Sequence, residues 1–351
     1  MSPALLVREP GLSTTIQDPG RPGFQRLGVP VSGALDPMAL AAANLVAGNP
    51  PHAAALEVAV TGPVIEVVAE SVRIAVAGPD LGIEVADRAP VPALVSTTLA
   101  RGERARIVAS RDCAVGYVAI AGGIAVAPVL GSRSTALRAR LGGFEGRMLA
   151  AGDRLPLVLD RAPGGPERRA PSDIAGRLDL RRPDVLRVMI AEAGRDFAAE
   201  ALAGLVASTY RVSAAADRMG LRLDGPAVTA LRRAEGLSVG TAPGAIQIPG
   251  DGGPILLLAD RQTTGGYPSA AHVVSADLAA AGRLRPGDPI RFVAVGADEA
   301  ATLRSARDAA LAGFAAGIEA VRPERIAAAV DVDLLAAANL VSGVTRGDDQ
   351  G

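Results

Sequence analysis

Residues Cys113–Ser132, CAVGYVAIAGGIAVAPVLGS, run without a single charged side chain. A stretch of that length and hydropathy raises the question of a membrane span. Gly122, Gly123 and Pro128 answer it, because they divide the run into Val115–Ala121 and Ile124–Val129. These are short, β-rich pieces joined by a tight turn, and the sequence reads as buried strands. The surrounding chain follows the same grammar. Leu56–Val60, Val64–Val68, Val72–Ala77 and Arg106–Ala109 are short, rich in valine and isoleucine, and punctuated by Gly-Pro, the pattern of a mainly β protein with many turns.

Asp36–Gly48, DPMALAAANLVAG, is the exception. Asp36 as N-cap, Pro37 at the first helical position and Gly48 as terminator predict one short helix. Arg161–Arg182 mixes proline, glycine and arginine with little periodicity and reads as a linker. A second β-rich unit begins near Val185 and closes at Pro289–Val295. Ala151-Gly152-Asp153-Arg154-Leu155 is echoed by Pro286-Gly287-Asp288-Pro289-Ile290, a likeness that ordinary turn chemistry explains. Ala297–Ala320 has helical spacing, and Asp331–Gly343 repeats much of Asp36–Gly48, predicting a further helix. The expected division is 1–160 and 185–296 as β units, 161–184 as linker and 297–351 as a helical extension.

The 351 residues include 49% apolar side chains, ample for two cores, and the formal net charge is -1 with charges scattered. Nothing resembles a nucleic-acid face or a polybasic membrane patch, so small molecules or proteins are the expected partners. Met1–Gly11 lacks the features of a signal peptide, and a cytoplasmic address follows by default. Cys113 is the one cysteine, flanked by small apolar residues, and reads as buried filler. Lysine is absent from the chain. That excludes a Schiff-base lysine, a P-loop lysine and any lysine carrying covalent biotin or pyridoxal phosphate on this chain. His52 and His272 are far apart without a ligand spacing, and no metal is expected.

Two polar, glycine-rich stretches break the apolar background: Thr14–Pro37, TTIQDPGRPGFQRLGVPVSGALDP, and Leu256–Pro268, LLLADRQTTGGYP. Both read as loops on a rigid scaffold, where chemistry usually sits. With Ala54–Pro63, AALEVAVTGP, Ala119–Thr135, AIAGGIAVAPVLGSRST, and Gly250–Pro268, these stretches closely resemble the KipA-like family. That family covers the C subunit of 5-oxoprolinase, also called PxpC, and the carboxyltransferase half of urea carboxylase. Its members are also labelled biotin-dependent carboxyltransferase or allophanate hydrolase subunit 2. The resemblance runs from about Gly11 to Phe292.

The resemblance implies two cyclophilin-like β-barrel domains with a few peripheral helices. It also implies two partner chains, one KipI-like and one LamB/YcsF-like, with ATP used in the assembled complex. The implied reaction opens 5-oxo-L-proline to L-glutamate, with this chain inactive alone. The alternatives are carboxyl transfer to a urea-like acceptor from carboxybiotin on another chain, and a non-catalytic antagonist of a KipI-like regulator.

Opening a lactam and carboxylating urea both require polarising an amide-like carbonyl and holding negative charge on its oxygen. Arginine, amide side chains and backbone N–H groups can do this without lysine, histidine or metal. Asp260 would accept from an N–H, and Arg261 would bind a carboxylate or phosphate oxygen. Gln262 and the Gly265-Gly266 backbone would donate to the carbonyl, with Thr264 and Tyr267 beside them. The competing reading pairs Asp260 with Arg261 to pin a strand end. In the first loop Gln17, Asp18, Arg21 and Ser32 are candidate substrate contacts, with Phe24 and Gln25 placed to pack on a flat ring. Asp18 and Arg21 remain divided between ligand contact and internal salt bridge. Asp217, Arg218 and Arg222 either line the same cleft or join two strands.

Overall fold

The computed structural model describes residues 2–108, 112–170, 178–231 and 238–321. Over these the chain is mainly β, with four α-helices among the described residues.

Val115–Ile120 is a strand buried at all six positions, because both its faces are covered. It is the middle strand of an antiparallel sheet ordered Ser13–Gln17, Ala55–Ala59, Val115–Ile120, Ser71–Ala77, Ser96–Ala100. Val118 and Ile120 join the core shared with Leu5, Ile65 and Ile83 of a six-stranded sheet. That second sheet runs Arg154–Pro156, Ala4–Glu9, Val64–Val67, Arg104–Val108, Gly82–Val85, Val91–Pro92. Val115, Tyr117 and Ala119 belong to a separate cluster under the helix Pro37–Ala47. A strand with one wet face alternates polar with apolar. This one has no wet face, which is why its sequence carries no charge.

The second half of the charge-free stretch departs from expectation. Gly122 and Gly123 make the turn, both at positive φ, but Ile124–Val129 is not a strand. It offers single bridges, Ile124 to Leu157 and Val129 to Ser132. The chain there bends back to bring Ser132–Thr135 against the first polar loop. That loop also starts later than its composition implies, since Ser13–Gln17 is the edge strand of the five-stranded sheet.

Helix Pro37–Ala47 forms as the punctuation predicts. Asp36 Oδ1 accepts from the Met38 and Ala39 amides at 3.0 Å, and Gly48 closes the helix at φ 95°. A cap of this kind contributes about 1 kcal/mol. The second unit is a closed seven-stranded barrel: Val185–Ile190, Ser269–Val273, Ala245–Gln247, Ile255–Leu257, Gly220–Asp224, Thr209–Val212, Pro289–Ala294. It closes through the parallel pair of Val185–Ile190 with Pro289–Ala294, around Leu186, Tyr210, Ile246, Leu256 and Phe292.

The Gly-Asp echo is a shared turn. Gly152 and Gly287 both have positive φ. Asp153 accepts from the Ala150 amide at 2.7 Å and Asp288 from the Arg285 amide at 2.6 Å. Each turn feeds the last strand of its unit. The long helix ends at Ala316, before the expected Ala320, and Glu319–Ala320 instead pairs with Arg168–Arg169. The helix expected over Asp331–Gly343 lies outside the described residues. No helix among the described residues is long and apolar enough to cross a membrane.

Candidate functional site

The two polar loops meet where the two units meet. Ser32 Oγ, from the first loop, lies 2.6 Å from Asp260 Oδ1 in the second and 3.1 Å from the Thr135 carbonyl, so its one proton serves one acceptor at a time. Ser32 holds a left-handed φ of 56°, a conformation a non-glycine residue keeps only when its surroundings fix it.

Asp260 does not pair with Arg261. Arg218 donates from Nε to Asp260 Oδ2 at 2.8 Å, and its Nη1 donates to Glu57 of the first unit. Glu57 is buried and also accepts from Tyr117 Oη at 2.6 Å and the Leu35 amide at 2.9 Å. Burial opposes the Arg218 charge, but the Glu57 and Asp260 carboxylates outweigh it and hold the guanidinium above its usual range. Burial, reinforced by Glu57, also pushes the Tyr117 phenol up. Arg218 is therefore a clamp between a carboxylate of each unit. A second cross-unit pair repeats the polarity: Arg283 Nε donates to Asp36 Oδ2 at 2.6 Å, both groups buried.

Arg261 stands apart. Its side chain is buried, its Nη groups reach only the Leu258 carbonyl at 3.5 Å and Gln25 Oε1 at 3.4 Å, and its Nε has no hydrogen-bond partner among the described residues. Burial lowers its pKa with no carboxylate to offset it. A guanidinium cannot shed its proton as a buried lysine can, so this charge stays. Holding it unpaired costs several kcal/mol.

Amides surround it. Gln25 Nε2 donates to the Thr241 and Thr263 carbonyls, both at 2.8 Å, which ties the first loop to the two-residue strand pair Val239–Gly240 and Thr264–Gly265. Gln262 Nε2 donates to Gln247 Oε1 at 3.1 Å. A Cβ on Gly265 would meet Gln247 Nε2 at 3.0 Å and Gln262 Nε2 at 3.2 Å, so glycine there lets the backbone approach two carboxamides. Thr264 and Tyr267 are exposed beside it, and Gly266 between them is half-buried.

Gln17 and Asp18 turn away from this cluster. Asp18 accepts from the Gly20 amide at 2.8 Å, Ser132 Oγ at 2.6 Å, the Arg133 amide at 2.6 Å and Ser134 Oγ at 2.5 Å. Gln17 Nε2 donates to Thr15 Oγ1 and the Thr135 carbonyl. Arg21 is buried, donates to the Ser134 and Val129 carbonyls, and leaves Nη1 without a partner among the described residues. Burial lowers its pKa against the pull of Asp18 and Asp260. Residues 131–135 thus serve Asp18. Cys113 is buried, and its thiol is pushed up to about 12 by that burial.

The residues that sequence reasoning did not single out are Glu57, Tyr117 and Gln247. Glu57 sits within Ala54–Pro63, where a lone acid between apolar residues looks like the wet side of a strand. Gln247 lies in an apolar strand, and a buried amide there was the available signal.

The family model described as carboxyltransferase domain, subdomain A and B, matches residues 27–294. The 5-oxoprolinase C subunit of Escherichia coli (strain K12) is 35% identical over 294 residues, which is 84% of this chain and 92% of that protein. Urea amidolyase of Saccharomyces cerevisiae is 31% identical over 328 residues, covering 88% of this chain and 17% of that protein. The crystal structure of Kluyveromyces lactis urea carboxylase superposes with a TM-score of 0.80 at 30% identity, over 90% of this chain and 29% of that one. Other solved chains are similar over about half of their length.

Proposed function

This chain belongs to the carboxyltransferase domain family of subdomains A and B, and we propose that it is the C subunit of an ATP-dependent 5-oxoprolinase, which opens 5-oxo-L-proline to L-glutamate. Two relatives named as that subunit of 5-oxoprolinase align over most of both chains. Their full-length match favours this reading over the urea amidolyases, of which the chain spans less than a fifth.

The observation that carries the proposal is Arg261, a buried guanidinium with no acidic partner. 5-Oxoproline supplies one carboxylate, which fits the planar fork and relieves the buried charge. Gln262 and the backbone at Gly265-Gly266 then face the lactam carbonyl as donors, and preorganised donors stabilise the oxygen as it gains negative charge. Asp260, engaged by Arg218 and Ser32, positions the loop that presents Arg261. ATP enters with the assembled complex, formed with one KipI-like chain and one LamB/YcsF-like chain.

The test is co-expression of the three chains with an assay for ATP-dependent glutamate formation from 5-oxoproline. Activity that needs all three chains and falls by about 10²-fold with Arg261→Gln is expected. A stable three-chain complex without that activity overturns the reading. The same complex assayed with carboxybiotin and urea would then examine carboxyl transfer, which the fungal relatives favour.

A further inference from the structure

A cleft of about 740 Å³ is lined by several arginines, but these are already paired: Arg182 with Asp288, Arg187 with Asp277 and Arg283 with Asp36. A smaller crevice of about 180 Å³ between the two units is chemically different. Its walls are mostly aliphatic, with Leu35 and Val115 from the first unit facing Leu221, Leu258 and Leu284 from the second. Glu57, Asp217 and Arg218 also line it, Glu57 held by Arg218 and Asp217 paired with Arg138 at 3.3 Å. Thr15 lines it too; Thr15 Oγ1 accepts from Gln17 at 3.1 Å, and its proton has no acceptor among the described residues.

A mostly aliphatic wall whose charged groups are each already ion-paired disfavours a further ion, because nothing there repays its desolvation. The volume equals about six water-sized shares of liquid. Apolar surface with a few polar groups is the usual make-up of a small-molecule site. Arg261, Gln262, Gln25 and Gln247 are absent from the lining, so the crevice is separate from the anion-seeking loop. The two share Arg218, which faces the crevice and clamps Asp260.

We propose that this crevice binds a small uncharged molecule with one acceptor oxygen, a cyclic ketone, alcohol or amide of about six non-hydrogen atoms, whose oxygen takes the Thr15 proton. Such a ligand touches both units at once and therefore stabilises their docking, independently of the reaction assigned above.

Cyclopentanone is the probe. Crystals of the chain soaked in it are expected to show one molecule between Thr15 and Leu258, and the thermal midpoint in solution is expected to rise with its concentration. Ala216→Leu fills the crevice from the second unit and should abolish both effects. Ala59→Leu fills it from the first unit and serves if Ala216→Leu does not fold. Arg261→Gln should leave both effects intact, which separates this site from the proposed substrate site. Thr15→Val should reduce the shift at a fixed probe concentration at least threefold while leaving that from cyclopentane unchanged. A crevice without the probe, or a thermal shift that survives filling, overturns the proposal.

Discussion

Asp18 in the first polar loop collects four short hydrogen bonds, whereas Arg261 in the second makes two long ones and leaves Nε without a partner among the described residues. Both are buried charges on glycine-rich turns, so composition alone ranks them together. Their surroundings separate them. A charge whose bonding capacity is filled from within the fold is a fastener, and one left with unfilled capacity is prepared for something outside the chain.

The comparison makes the two charges respond oppositely to removal. Asp18→Ala strips the acceptor from two hydroxyls and two amides, and is expected to cost about 3 kcal/mol or more in urea unfolding. If that variant unfolds like the wild type, Asp18 is no fastener. Arg261→Gln should change stability by less than about 1 kcal/mol or raise it, since an unpaired buried charge is lost. In the same protein, glutamate formation by the assembled complex should fall by about 10²-fold. A large loss of stability with activity retained would reverse the assignment. Ser32→Ala sharpens the boundary between the loops: losing the hydroxyl that reaches Asp260 should cost about 1 kcal/mol. Ser32→Gly, which relaxes the left-handed backbone, should cost less in the same unfolding series.

The smallest effect concerns neither loop. Hydrogen bonds from Arg8 and Arg104 hold the Glu66 carboxyl at about 2, below its ordinary 4.5. A depressed carboxylate adds stability that is present above the ordinary value and is lost as the pH falls through the depressed one. Glu66→Gln should therefore flatten the stability curve between pH 4.5 and about 2, lowering stability at neutral pH and leaving it unchanged at the acid end. An unchanged acid slope would place that sensitivity elsewhere, with the two loops the first regions to examine.

The helix Pro37–Ala47 was legible because its start, body and stop are written in adjacent residues. The buried strands were legible from valine and isoleucine runs between glycine-proline turns. Ile124–Val129 misled because its composition suits a strand, while its conformation is set by Asp18, whose demand on Ser132 and Ser134 is invisible locally. The second loop was found from its crowd of polar groups. Its internal wiring was not, since Arg218 meets Glu57 across 161 positions and Arg283 meets Asp36 across 247. Local pattern carries periodicity and caps. It does not carry which distant acid will face which distant base.

The Arg218 and Arg283 clamps also bear on how such a chain can be inherited. In both, the first unit contributes the acid and the second the base. A recombination event that transplants one half therefore delivers either the stranded carboxylates of Glu57 and Asp36 or the stranded guanidinium of Arg283 to its new host. The halves travel together or not at all, and a mutation in one is screened by the other before any substrate is met.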